Sequence, residues 1–394
     1  MYDGRYQEAT YLRIALISFT HAYNYGANFQ AYALEKYIEN TCMDIECKYI
    51  CYSRNFVWAS FKWMGRKIAS SLTRTNDDPS WMVKEYFKIV FQRSGEGFNS
   101  ETNAKFEKFW KLMNYDYHDG KSYRRRDLRS LNTKYDTKYD KFISGSDQIW
   151  NCGRLDLDTT YMLDFVTDDS KKFSYASSLG MREIPQKYYA KYKECLSSFR
   201  ELSCREQEGA DIISKLTGRE VVHVLDPVFL LDKEEWIELT KSSVPIQKDG
   251  KYILIYTLSK DEFFVEKVKK YADKKKESVF IISDNKCNGQ STGPLEWLDY
   301  FCHADEVFTD SFHGTAFSVI FNKQFSVYIP DDSFFQDSKS RITGLLDELE
   351  ICNRIIDETY CLDNIKDIDY DKVNDILSRL KTKSRDYLDS CLRE

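Results

Sequence analysis

The sequence lacks the features that mark membrane-spanning, secreted and nucleic-acid-binding proteins. No apolar run approaches the roughly 20 residues of a membrane-spanning helix. The start, MYDGRYQEATYLRIALISF, has neither a basic n-region nor a cleavage site of a signal peptide. A net charge of −6 argues against a general binder of nucleic acid or of anionic membranes. We therefore expect a cytoplasmic protein with no nucleic-acid partner.

Metal and cofactor motifs are missing as well. The eleven cysteines include no CxxC pair, and their scattered spacing predicts free thiols rather than a zinc site. The loop after the first apolar run holds a single glycine, Gly26, so the dinucleotide fingerprint GxGxxG is absent there. The sequence therefore predicts no bound metal and no redox cofactor.

What the chain does contain is an alternation of strand-like and helix-like segments. RIALISF (13–19) is a continuous apolar run of buried-strand length, FQAYALEKYIEN has helical spacing, and IECKYICY (45–52) is again strand-like. This order predicts a β–α–β beginning. The same alternation restarts after SSVPIQKDG (242–250), where proline, glycine and polar residues interrupt both periodicities.

We predict an α/β protein with two Rossmann-like domains that face each other across a central cleft. The first domain covers 1–241 and carries a helical insertion at about 55–128. The second covers 250–394, and its last helix can pack back onto the first domain. In such folds the ligand binds outside the carboxyl ends of the strands, so the loops at these ends are the candidate sites.

Two such loops lie in the first domain. NYGAN follows the first strand and opens a helix, where free backbone N–H groups favour an anion or a hydroxyl, although an ordinary strand-to-helix turn also fits. SGSDQIWN is polar and compatible with a sugar, but its tryptophan could equally cap the core and its aspartate could cap a helix. The candidate residues of these loops are Asn24, Tyr25, Gly26, Asp147, Gln148 and Trp150.

Two further segments supply cations. Arg205 in SCREQEG follows a short strand-like segment, and its planar guanidinium suits a phosphate or a carboxylate, unless it only pairs with a neighbouring glutamate. Lys339 and Arg341 lie in SKSRI, which we predict to be a loop after the FSVYIP strand. They could clamp an anion or simply be solvated.

The segment EVFTDSFHGTAFSVI places His313 between an apolar strand and a helix that reads as buried on all sides. Its ring would lie near the carboxyl edge of the second sheet, beside the N-terminal amides of the next helix. A structural histidine is the alternative. Ser311 and Gly314 flank it at the same strand-to-helix junction.

Taken together, these motifs resemble the polysaccharide pyruvyl transferase family. The resemblance runs in order through NYGANFQAYAL, DKFISGSDQIWN, YMLDF, KKFSYASSLG, SCREQEG, VLDPVFLL, TDSFHGTAFSVIFNKQF and SRITGLLDEL, and is weakest in 55–128. It implies a fold similar to that of the B-type glycosyltransferases. It also implies transfer of a carboxyethylidene group from phosphoenolpyruvate, a co-substrate, to two hydroxyls of a sugar in a surface polysaccharide or its precursor.

Carried onto this chain, the resemblance makes His313 the general acid/base and Arg205 a ligand of the phosphoenolpyruvate anion. Lys339 and Arg341 are further donor-binding candidates, together with Ser311 and Gly314. The family often has a basic residue two positions before the histidine, where this chain has Ser311. SKSR is the candidate replacement for that missing charge.

The loops of the first domain would then bind the sugar acceptor. Trp58, Trp63, Arg66 and Lys67 in the helical insertion could approach a lipid-linked acceptor at the inner face of the membrane, although we favour a core position for the two tryptophans. Two other functions fit the same architecture. One is a glycosyltransferase that uses a nucleotide-sugar, and the other is a non-catalytic protein that binds a glycan or an anion.

Overall fold

The computed structural model of the protein describes residues 11–41, 44–53, 99–130, 138–152, 157–243, 250–330, 333–357 and 359–393. In these ranges strands and helices alternate along most of the chain. The strands are β1 (Leu12–Ile17), β2 (Ile45–Ile50), β3 (Tyr115–Asp116), β4 (Lys141–Ser144), β5 (Lys172–Ser174), β6 (Ser203–Cys204), β7 (Val222–His223), β8 (Tyr252–Tyr256), β9 (Ser278–Ser283), β10 (Lys286–Cys287), β11 (Gln290–Ser291), β12 (Glu306–Thr309), β13 (Gln324–Tyr328) and β14 (Ile355–Ile356).

The helices are α1 (Tyr25–Thr41), α2 (Ser100–Trp110), α3 (Arg125–Ser130), α4 (Tyr189–Ser197), α5 (Gln207–Thr217), α6 (Lys233–Thr240), α7 (Glu262–Lys275), α8 (Pro294–His303), α9 (Phe312–Ile320), α10 (Ser333–Glu348) and α11 (Tyr370–Arg393).

The first sheet is parallel and has the strand order β3-β2-β1-β4-β5. The last four residues of β1 and all of β4 are buried, because helices or loops cover both faces of the sheet. The strand order changes direction at β1, so the carboxyl ends of β1 and β4 flank the switch point of this sheet. The small parallel pair β6-β7 is joined to the region after β5 by isolated bridges.

The second sheet has the order β11-β10-β9-β8-β12-β13-β14. The five neighbouring strands β9-β8-β12-β13-β14 are parallel, and β10 and β11 form an antiparallel edge. Its switch point lies between β8 and β12. The predicted α/β class with two Rossmann-like units is therefore confirmed.

The two units touch through several elements. α9 of the second unit contacts the segment 227–229 of the first, and α8 of the second unit contacts α1, α2 and α6 of the first. The last helix, α11, reaches the first unit. There the Lys141 Nζ donates to the Cys391 carbonyl at 2.7 Å, the Tyr387 hydroxyl donates to the Ser174 carbonyl at 3.0 Å, and the Leu225 N–H donates to Ser384 Oγ at 2.9 Å.

Several sequence predictions need correction or lie outside the described residues. SKSRI, predicted to be a loop, belongs to helix α10. Most of the predicted insertion, 54–98, and most of the predicted linker, 244–249, are outside the described ranges. Across the described residues, no helix combines the length and the apolarity that crossing a membrane requires.

Candidate active site

The site begins where the N-termini of α1 and α9 meet across the two units. His313 is the second residue of α9, and its ring packs against Gly26, the second residue of α1. A Cβ at Gly26 would lie 2.0 Å from His313 Nδ1 and 2.4 Å from Cε1. Glycine is thus required at position 26 for the histidine of one unit to rest on the helix of the other.

A buried carboxylate faces the other nitrogen of that histidine. Asp226 lies in the segment between β7 and α6, and its side chain is fully buried. Its Oδ2 accepts from Arg205 Nη1 at 2.6 Å and from Ser146 Oγ at 3.3 Å, and its Oδ1 accepts from the Val228 N–H at 3.1 Å. His313 Nε2 lies 3.7 Å from Oδ2, and the imidazole is 12% exposed.

Both members of the Arg205–Asp226 pair are charged. Burial alone would raise the pKa of Asp226, but the adjacent His313 and the charge of Arg205 outweigh it and hold that pKa well below its usual range. Burial alone would lower the pKa of Arg205, but Glu206, Asp226 and Asp147 outweigh it and raise that pKa. Loss of either partner would leave an uncompensated buried charge.

Arg205 retains binding capacity beyond this pair. Its Nε donates to Glu206 Oε1 at 3.0 Å, whereas its buried Nη2 has no hydrogen-bond partner within the described ranges. His313 Nε2 is likewise buried and lies outside hydrogen-bond distance of the described residues. A buried polar atom without a hydrogen-bond partner is costly, so these two atoms are candidates for contact with a bound ligand.

A second cation reaches the same place from α10. The amide oxygen of Gln148, oriented toward the guanidinium, lies 2.8 and 3.0 Å from Arg341 Nη2 and Nη1. The guanidinium carbons of Arg341 and Arg205 lie 5.9 and 4.9 Å from the centroid of the Phe312 ring. The two arginines therefore converge on one aromatic ring, from opposite units.

Arg205, Asp226, Phe312 and Arg341 line one end of a cavity of about 400 Å³ between α5 and α10. The other end is acidic, and His223 bridges the two units there. His223 Nε2 lies 3.0 Å from the Arg205 carbonyl oxygen and 3.3 Å from Glu348 Oε1. Burial raises the pKa of Glu348 to about 7. The remaining lining includes Glu206, Glu208, Asp347, Phe229 and Leu225.

Several donor-side predictions are changed by the structure. Ser311 is 4% exposed and caps α9, because its Oγ accepts from the Gly314 N–H at 3.4 Å. A Cβ at Gly314 would lie 2.3 Å from Thr309 Oγ1, so this glycine lets α9 approach the sheet. Both residues serve the helix terminus rather than a ligand. Lys339 is exposed, since residues two apart on helix α10 face different directions and Arg341 takes the inward one.

The acceptor-side predictions separate into buried and accessible residues. Tyr25 is 2% exposed and donates to the Thr292 carbonyl at 2.9 Å, and Trp150 is fully buried and donates to the Tyr161 carbonyl at 3.3 Å. These two predictions are wrong, because both rings belong to the core. Asn24 is exposed and caps α1 through the Ala27 N–H at 3.0 Å.

Asp147 and Gln148 lie at the carboxyl end of β4, close to the arginines. Asp147 adopts a φ of 74°, which is uncommon for a residue other than glycine, and its carboxylate accepts from the Gln148 N–H at 2.7 Å. Aspartate and asparagine adopt a positive φ more readily than other residues that carry a side chain, so Asp147 suits the turn after β4. The Gln148 side chain contacts the guanidinium of Arg341 directly.

The carboxyl end of the second sheet is closed by one of its own side chains. Asp310 follows β12 and is 2% exposed. It accepts from the N–H groups of Leu258 and Ser259 at 2.7 and 2.9 Å, and from Thr257 Oγ1 at 2.7 Å. This carboxylate already occupies the backbone anion cradle at the switch point between β8 and β12.

Sequence reasoning gave little weight to Asp226 and overlooked His223 and Glu348. The available signal was the apolar run VLDPVFLL, in which a single aspartate stands among residues that are otherwise buried. An ionised side chain in such a run needs a partner. His223 and Glu348 carry no local signal, because their contact joins β7 to α10 across more than a hundred residues.

Solved structures show the same overall architecture. The chain resembles the UDP-GlcNAc 2-epimerase from Neisseria meningitidis, with a TM-score of 0.52 and 10% identity over 97% of this chain and 100% of that one. A putative UDP-N-acetylglucosamine 2-epimerase from Listeria monocytogenes gives a TM-score of 0.48 and 8% identity over 95% and 91% of the two chains. At such identities the likeness concerns the fold alone, which is of the B-type glycosyltransferase kind.

The sequence comparison is more specific. No curated protein matches the chain significantly. A family model described as polysaccharide pyruvyl transferase matches residues 24–332, which is most of the chain and spans Gly26, Arg205, Asp226 and His313. The chain therefore belongs to the polysaccharide pyruvyl transferase family and is a transferase.

Proposed function

We propose that the protein transfers a carboxyethylidene group from phosphoenolpyruvate to two hydroxyls of a sugar in a surface polysaccharide or its precursor. The observation that carries this proposal is the convergence of Arg205 and Arg341 at one end of the cavity, beside Asp226, whose Oδ2 lies 3.7 Å from the buried His313 Nε2. Phosphoenolpyruvate presents a carboxylate and a phosphate close together, and guanidinium groups bind both bidentately.

In this proposal the two arginines hold the donor. Arg205 Nη2 takes an oxygen of the anion, while Nη1 stays on Asp226 and keeps the guanidinium in place. Arg341, held by Gln148, approaches from the other unit and supplies the positive charge that is missing at Ser311. A lysine at either position would give one point charge instead of a planar fork.

His313 handles the proton. Its Nε2–H protonates the methylene carbon of phosphoenolpyruvate, which leaves an oxocarbenium-like centre at C2. One sugar hydroxyl adds to C2 and loses its proton, the C2–O bond to phosphate breaks, and the second hydroxyl adds in its place. The proton of one sugar hydroxyl returns to His313, which gave its own proton to form the methyl group. The proton of the other hydroxyl leaves with the phosphate. Proton transfer by a positioned acid such as His313 is typically worth about 10²- to 10⁴-fold in rate. Asp226 would stabilise the protonated imidazole.

The position of Asp310 argues against the rival in which a nucleotide-sugar is the donor. A diphosphate at the carboxyl end of the second sheet would meet a buried carboxylate that already uses the local N–H donors. The cation-rich end of the cavity lies instead beside Asp226, in the segment between β7 and α6. A small dianionic or trianionic donor suits that place better.

The test is a phosphate-release assay with phosphoenolpyruvate and a panel of lipid-linked and nucleotide-linked glycans. We expect phosphate release that depends on both phosphoenolpyruvate and acceptor, and loss of turnover in His313→Ala with the fold retained. Turnover of nucleotide-sugars with release of the nucleotide would support the glycosyltransferase instead. Unchanged ligand affinity and biological activity in His313→Ala would support a non-catalytic binding protein. A lipid-linked acceptor and contact with the inner face of the membrane stay predictions, since residues 54–98 are outside the described ranges.

A further inference from the structure

A second cluster of rings lies at the carboxyl ends of β1, β2 and β3, apart from the cavity. The ring of His21, in the loop after β1, lies 4.2 Å from Tyr115, 5.0 Å from Trp110 and 6.2 Å from Tyr117, measured between ring centroids. We call these four side chains the aromatic wall. Tyr117 is 42% exposed, so the wall presents a ring to solvent.

The wall carries hydrogen-bonding groups but no charge of its own. The Tyr117 hydroxyl lies 3.2 Å from His21 Nε2, and the Cys51 thiol lies 3.8 Å from His21 Nδ1. Burial lowers the pKa of His21 to about 4, so its imidazole is neutral at physiological pH. A neutral aromatic surface with a phenol hydroxyl at its edge differs sharply from the cation-rich end of the cavity. It suits an uncharged ligand with apolar faces and hydroxyl edges.

The wall is linked to the proposed reaction centre through the loop between β1 and α1. His21 lies in the loop that joins β1 to α1, where the strand order of the first sheet changes direction. Gly26, five residues further on, contacts His313. Between them the Tyr23 carbonyl accepts from Asn285 Nδ2 of the second unit at 3.1 Å, which places this loop at the junction of the two units.

The residues that sequence reasoning offered for sugar stacking cannot serve, because Tyr25 and Trp150 are buried. The wall provides the aromatic surface that they would have supplied. We infer that the aromatic wall binds a hexose ring of the acceptor, with the apolar C–H face of the sugar against Tyr117 and His21 and its hydroxyls toward the phenol oxygen. This inference rests on the proposed function, since it deepens the identity of the acceptor site.

The experiment measures sugar and donor binding separately on the full chain. Saturation-transfer NMR titrations use the methyl glycosides of common hexoses and N-acetylhexosamines as probes, and calorimetry measures phosphoenolpyruvate affinity. Tyr117→Ala removes the exposed ring, and Tyr117→Phe keeps the ring but loses the hydroxyl. Tyr189→Ala removes a tyrosine of similar exposure, 48%, from α4 and is the matched control.

We expect Tyr117→Ala to weaken glycoside binding by about tenfold or more, since the stacking of a ring is lost. Tyr117→Phe should retain most of the affinity, and Tyr189→Ala all of it. His21→Asn is a second variant, because asparagine tolerates the positive φ of 53° at this position and the imidazole face is lost. It should weaken glycoside binding as well.

Phosphoenolpyruvate affinity should be unchanged in all four variants. Glycoside binding that is unaffected in both Tyr117→Ala and His21→Asn, or absent in the unmodified protein, would overturn the inference. If the protein binds phosphoenolpyruvate but Tyr117→Ala and His21→Asn leave glycoside binding unaffected, the wall is not the sugar site and the proposed function still stands. Glycoside binding lost in Tyr117→Ala without any phosphoenolpyruvate binding would overturn the proposed donor and leave the wall as a sugar site.

Discussion

The contact between Gly26 and His313 allows a sharp test of how the two units assemble the site. The Cβ of Gly26→Ala would lie 2.0 Å from Nδ1, whereas ordinary contacts begin near 3.4 Å, so the ring must retreat by about 1 Å or more. A displacement of that size costs about 10²-fold in rate when the displaced group takes part in the reaction. Overpacking of the contact should also lower the free energy of unfolding by about 1–3 kcal/mol.

The measurement is a double-mutant cycle in which turnover and urea denaturation are followed for Gly26→Ala, His313→Ala and the double variant. The three heavy atoms nearest to the added Cβ all belong to His313. We therefore expect Gly26→Ala to be harmful only while the histidine is present, and to be neutral or slightly stabilising in the His313→Ala background. Equal losses of stability in both backgrounds would refute the idea that position 26 acts through His313.

Further predictions concern the charged groups of the cavity. Arg205→Lys should keep a cation beside Asp226 but weaken phosphoenolpyruvate binding by about tenfold or more, because the unpartnered Nη2 is lost. Arg205→Gln should in addition lower the free energy of unfolding by about 3–5 kcal/mol, because it leaves the buried Asp226 carboxylate unpaired. Calorimetry measures the loss of binding, and urea denaturation measures the loss of stability. Arg341→Ala should weaken phosphoenolpyruvate binding. Lys339→Ala should not weaken it, because Lys339 is exposed on the same helix. Equal losses of affinity would show that binding depends only on the net charge of the helix. The raised pKa of Glu348 means that the folded protein binds an extra proton between about pH 4.5 and 7, so its contribution to stability falls as pH rises through that window. Glu348→Gln should therefore gain stability relative to the unmodified protein from pH 4.5 to 7, by about 2–3 kcal/mol at most, and parallel pH profiles of the two proteins would contradict this.

The alternation of apolar runs was enough to predict the two sheets, because strands buried on both faces must be apolar along their whole length. β1 and β8 are examples, and α9 was recognised as a buried helix for the same reason. The prediction of a loop at SKSRI failed because a polar, charged segment is equally compatible with a helix whose outer face is solvated.

Some site residues can be identified from the sequence immediately around them, and others cannot. Arg205 and His313 follow strands directly, and the rule that ligands bind at the carboxyl ends of strands locates such residues from sequence. The pairings of Arg205 with Asp226 and of Arg341 with Gln148 join residues far apart in sequence, so no local pattern identifies the partners of each arginine. Tyr25 and Trp150 show the converse, since an aromatic residue in a polar loop can still point inward.

The most direct test of the proposed reaction is mass analysis of an acceptor glycan after incubation with the protein and phosphoenolpyruvate labelled with ¹³C in its three-carbon unit. The proposal predicts that the glycan gains one labelled carboxyethylidene group for each phosphate released, and that His313→Ala does neither. A glycan that gains a sugar from a nucleotide-sugar instead, or phosphate release without transfer of label, would contradict it.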